Sequence, residues 1–195
     1  MKPVTKIVIF VGLHCIILFS AAGAFQNIFT KIVEEKGNFS LAPFLFIFNF
    51  LFFMVANLFT PLIQYSGKWL IAVSALGYGC NYAFSIFLFD FDGFIEYFLA
   101  ALGASIAGVS ASVLWVNIGT YIHDACHLHN EIENKGHYFG IFTTLCSVGL
   151  ITGSLVITFG LSLMDERSYF ILSTGIAVFA FLFSAVFMKN IKSTR

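Results

Sequence analysis

The chain has 195 residues, of which 59% are hydrophobic and only 10% charged, and its ten Lys and Arg balance its ten Asp and Glu. With a mean hydropathy of +0.92, too little polar surface remains to cover a soluble domain, so water is excluded as the solvent for most of it. No basic cluster of the kind that binds nucleic acid is present, and nucleic acid is excluded as a partner.

Charges mark out the elements, because a charged side chain at mid-membrane costs about 2.5–3.5 kcal/mol on insertion scales. The charge-free stretches predict six transmembrane α-helices in a single domain, at about 5–27, 41–64, 69–89, 95–122, 138–163 and 168–189. About 20 apolar residues rising 1.5 Å each cross the hydrocarbon, so each stretch holds one helix. In the first span, Lys2 and Lys6, the apolar run and Ala22-Gly23-Ala24 imitate a secretory signal. Polar Gln26 and Asn27 extend the segment beyond that site, and retention is expected. The loop that follows holds the sequon Asn38-Phe39-Ser40, a candidate glycosylation site at Asn38.

The second span carries Phe44, Phe46, Phe48, Phe50 and Phe52 with period two. The residues between them are nearly all apolar, which leaves no polar lumen face and excludes a β-barrel. Pro43 opens this span and Pro61 lies near its end, where a missing N–H is tolerated. Asn49, Asn57, Asn81 and Asn117 are the polar groups placed deepest, and as neutral amides they suit interhelical hydrogen bonds or a weakly polar cavity. The fourth span is crowded with small residues from Gly103 to Ser112, and the fifth holds the four-spaced pair Gly149 and Gly153, so backbones can approach closely there.

His123, His127 and His129 surround Asp124 and Cys126, but their loop reads as a short solvated helix ended by Gly136, with Glu131 and Lys135 paired along it. No metal is expected. Cys15, Cys80, Cys126 and Cys146 lack two-residue motif spacing and read as packing thiols. His14 is the only histidine inside a span, so a bis-histidine haem is not available. No nucleophile elbow, phosphate loop or paired intramembrane carboxylates appear; neither enzymatic activity nor a cofactor is expected. Lys2, Lys6, Lys68, Lys135, Lys189, Lys192 and Arg195 fall on one side of the predicted topology against Lys31, Lys36 and Arg167 on the other, which puts both termini in the cytoplasm.

Several short blocks resemble one family. They are Gly23-Ala24-Phe25-Gln26-Asn27, Gly67-Lys68, Gly77-Tyr78, Leu114-Trp115 with Gly119-Thr120-Tyr121, and Gly140-Ile141-Phe142. Together they resemble the ion channel regulatory proteins, the "uncoordinated ninety-three" (UNC-93-like) branch of the major facilitator superfamily. The resemblance implies half of that superfamily's fold, six helices related as 3+3 inverted repeats. It also implies a non-enzymatic regulator or escort of an ion channel or other membrane protein, with a channel subunit as partner within the lipid bilayer. The alternative is a transporter of a small solute built as a homodimer of two such halves. In that case His14, Gln26, Asn27, Asn117 and Tyr121 are the candidates to line a midplane cavity.

Overall fold

The computed structural model describes residues 2–35, 37, 39–63, 67–160 and 164–191, with the side chains of 23, 24, 26–28, 30–35 and 157–160 excepted. Six long helices account for nearly all of them: α1 (Pro3–Glu35), α2 (Leu41–Phe59), α3 (Gly67–Phe87), α4 (Phe94–Leu128), α5 (Lys135–Gly160) and α6 (Glu166–Phe187). Each is long and apolar enough to cross a membrane. The protein is an all-α integral membrane protein, as its composition requires.

Helix ends follow local chemistry. A 3₁₀ turn at Thr60–Leu62 takes over from α2 where Pro61 removes an N–H donor, and Asp165 caps α6 by accepting from the Ser168 N–H at 3.4 Å. Between α4 and α5 the expected short helix ended by Gly136 does not form. Instead α4 runs on through the histidine segment to Leu128, and Asn130 turns the chain with φ of 54°. After a 3₁₀ turn at Ile132–Asn134, Gly136 lies inside the first turn of α5. Glu131 correspondingly pairs with Lys2 at 2.7 Å, bridging to the other end of the sequence rather than along a helix to Lys135.

Packing is set by where small residues let backbones meet. α1 lies against α5 and α6, α4 lies against α2 and α3, and α3 lies against α6. At the α1–α5 crossing a Cβ on Gly149 would sit 2.8 Å from the Ile16 Cα, and one on Gly153 would sit 2.9 Å from the carbonyl oxygens of Phe19 and Ser20. At the α2–α4 crossing Gly108 lies directly on the Asn49 carbonyl. Nearby, the Asn49 amide donates to the Ala104 carbonyl at 3.2 Å, and Ser112 donates to the Asn57 side-chain oxygen at 2.9 Å.

The two ends of the bundle are tied separately. One end gathers Lys2 with Glu131, the Tyr121 hydroxyl donating to the Lys189 carbonyl at 2.5 Å, and Gly67 against the Tyr121 ring. Lys2 and Lys189, near the first and last described residues, therefore lie at this end of the bundle. At the opposite end Arg167 of α6 grips Asp90 of the α3–α4 loop with two hydrogen bonds of 3.1 and 3.0 Å.

Candidate functional site

The arrangement leaves a cavity of about 270 Å³ between α1, α2, α3 and α4, with Leu150 of α5 at its edge. Aromatic rings wall it: Phe19 and Phe25 from α1, Phe46 and Phe50 from α2, Tyr78 and Tyr82 from α3. Ala22, Ala107 and Ala111 make the room, and Asn49 and Asn81 supply amides. Among the described residues no charged side chain lines it. The Tyr82 hydroxyl is fully buried here without a hydrogen-bond partner among the described residues, an uncompensated polar group in an apolar wall. The described lining is thus suited to an uncharged molecule with an apolar body.

Of the residues nominated from the sequence, His14, Asn117 and Tyr121 have described side chains and lie elsewhere. His14 is fully buried between α1 and α6, with Nδ1 2.6 Å from the Ser184 hydroxyl and 3.2 Å from the Ala180 carbonyl. Asn117 turns its amide back to the Val113 carbonyl of its own helix at 2.8 Å. Tyr121 lies at the end of the bundle that holds Lys2 and Lys189. The side chains of Gln26 and Asn27, and the candidate glycan acceptor Asn38, lie outside the described residues. Among the described residues no group of three His, Cys, Asp or Glu is placed to hold a metal ion.

The resembling blocks meet in the packing. Trp115 of α4 stacks on Phe19 of α1 with ring centroids 5.6 Å apart, and lies edge-on to Phe142 of α5 at 6.2 Å. Phe25 packs on Tyr82 of α3 and Phe170 of α6 at 5.3 and 5.6 Å. Ile141 packs against the core, and the Thr120 hydroxyl donates to the Val116 carbonyl. Gly119 and Gly140 face open space. These residues form an aromatic clasp joining α1, α4 and α5, and part of the cavity wall behind it. One feature had no sequence signal: Cys15 and Cys146, 131 positions apart, are both buried, one on each helix of the α1–α5 pair.

A family model for the ion channel regulatory protein UNC-93 matches residues 29–192, most of the chain. The chain belongs to the UNC-93 family. No curated protein matches it. For an UNC-93 family member the family description carries a role, ion channel regulation, and with it a membrane-protein partner.

The surface a partner would meet is uneven. The outward face of α6 presents Ile171, Leu172, Val178, Phe179, Leu182 and Val186, bulky residues suited to lipid tails. That of α5 presents Gly140, Thr143, Thr144, Ser147 and Ser154 among its apolar residues. Each of the four hydroxyls returns a bond to the carbonyl four residues back, and the small stretch runs from Gly140 to Ser147, beyond which Val148, Leu150, Ile151, Leu155 and Val156 are also exposed.

Proposed function

We propose that this UNC-93 family protein is a non-enzymatic regulator or escort that binds an ion channel subunit or another membrane protein through the outward face of α5. The observation that carries the reading is the stretch of small and hydroxyl residues from Gly140 to Ser147 on that face, where α6 presents bulky side chains. Small and hydroxyl residues let a neighbouring helix approach closely, whereas a purely lipid-facing helix has no need of them. Site-specific photocrosslinking tests it. A photoreactive residue at Ser147 or Ser154 is expected to capture a second protein in the native membrane, and the same residue at Val178 or Phe179 to capture none; equal capture at both faces contradicts the assignment.

Within this reading the chain is half of a major facilitator fold. Exchanging α1 with α4, α2 with α5 and α3 with α6 turns the α1–α5 packing into α4–α2 and the α1–α6 packing into α4–α3, and leaves α3–α6 unchanged. That permutation is the behaviour expected of 3+3 inverted repeats. Both termini face the cytoplasm, supported by the seven-to-three distribution of Lys and Arg. A glycan on Asn38, and none on a sequon inserted at Asn130, is the expected outcome of glycosylation mapping.

A second reading, a small-solute transporter working as a homodimer of halves, is favoured by the uncharged cavity and the unpartnered Tyr82 hydroxyl. Solute flux in liposomes that is abolished by Ala111→Phe would support it.

A further inference from the structure

At the end of the bundle that holds Lys2 and Lys189, a second crevice of about 250 Å³ opens between α1, the end of α4 and the end of α6. Its walls are apolar, from Ile7, Phe10 and Phe187, and its rim is cationic, from Lys6 and Lys189 with His129 beside them. Three separate elements thus bring basic groups to the mouth of one greasy slot.

The other described cations at this end are already engaged. Lys2 is neutralised by Glu131 at 2.7 Å, Lys68 lies over the Trp69 ring at 5.2 Å, and Lys135 lies over the Phe139 ring at 5.6 Å. Among the described residues Lys6 and Lys189 have no carboxylate partner and no acid lines the crevice. His129 adds a buried Nε2 without a hydrogen-bond partner. We infer that this crevice is a binding site for an anionic amphiphile, its acidic head held by Lys6 and Lys189 and its acyl chain laid on Phe10 and Phe187. Two lysines at a membrane surface attract anionic headgroups, and an adjoining apolar slot converts that diffuse attraction into a site. The site is independent of the α5 face, and its failure would leave the partner reading untouched.

The head is shared by two sources, a bilayer phospholipid and a free fatty acid, and the test separates them. The full chain is purified in neutral detergent and titrated with dioleoylphosphatidylserine, oleate or dioleoylphosphatidylcholine, with bound molecules counted by native mass spectrometry. One molecule of an anionic species is expected to bind in preference to phosphatidylcholine, and the tighter of the two anionic ligands identifies the source. Lys6→Gln with Lys189→Gln is expected to weaken it about thirtyfold. Lys135→Gln, a change of equal charge at the same end, is expected to leave it within about twofold. Because Lys6 and Lys189 are exposed, both variants should keep the wild-type elution volume. Rising salt should release the ligand from the wild type, a readout that needs no variant. Equal weakening by Lys135→Gln, or no preference for the anionic species, overturns the site.

Discussion

Gly149 is a point of backbone-to-backbone contact at the α1–α5 crossing, and alanine there isolates one physical term. The new Cβ would lie 2.8 Å from the Ile16 Cα and 3.1 Å from the Cys15 carbonyl oxygen. Both are backbone atoms, which cannot rotate aside, so α1 itself must shift. Overpacking of this kind costs about 1–3 kcal/mol. Against it stands the helix-propensity gain of Gly→Ala, about 0.8–1 kcal/mol. Gly140→Ala, on the same helix with nothing within 4 Å, has the gain without the cost. The difference between the two variants is therefore the packing term alone, about 1–3 kcal/mol. The crossing supplies its own reporters, since Cys15 and Cys146 are buried in it. With exposed Cys80 replaced by alanine, a thiol-reactive dye followed through a thermal ramp in detergent reads the opening of the helices. Gly149→Ala should expose thiols at a clearly lower temperature than Gly140→Ala. Coincident curves would mean that α1 and α5 do not approach as described.

Other expectations follow from single contacts. Ser184→Ala removes a hydroxyl partner of His14 between α1 and α6 and should cost about 0.5–1.5 kcal/mol in the same unfolding assay. Arg167→Ala and Asp90→Ala should each lower stability by up to about 1 kcal/mol, since the pair is nearly half exposed, and the charge-swapped double variant should recover most of it. The hydrogen bond from Lys2 holds the Glu131 carboxyl below its ordinary range, and the same bond raises the Lys2 ammonium. The Glu131 contribution is therefore fully present above the ordinary glutamate pKa of about 4.3 and is lost as pH falls through its lowered folded value. The Lys2 contribution is present below the ordinary lysine value and is lost as pH rises through its raised one. A pH series of unfolding temperatures should show both limbs reduced in Glu131→Gln.

The number and type of elements were legible in the sequence because mid-membrane charges are expensive, and the gaps between them say where helices run. The gaps said less about helix ends. α4 reaches Leu128, past the buried charge at Asp124. Gly136 looked like a helix stop and instead starts α5; the turn falls at Asn130, and nothing in residue type alone separates those two. The Gly149 and Gly153 pair did announce a close crossing, since small residues have few other reasons to recur at that spacing. What it met was not legible, because a helix apolar on every side does not reveal its rotation. For the same reason His14 and Asn117 were reasonable cavity candidates, and Tyr82 and Asn81 line the cavity instead. His14 found Ser184 on α6, and Asn117 found a carbonyl on its own helix, partners that only packing decides.

The central claim, that this UNC-93 family protein acts by holding another membrane protein, is tested most directly by native mass spectrometry of the full chain gently extracted from its own membrane. The account predicts a complex containing a different membrane protein in fixed stoichiometry, lost when Ser147 and Ser154 are both replaced by bulky leucine. A homodimer and nothing else, unchanged by those substitutions, would contradict it and move the transporter reading to the front.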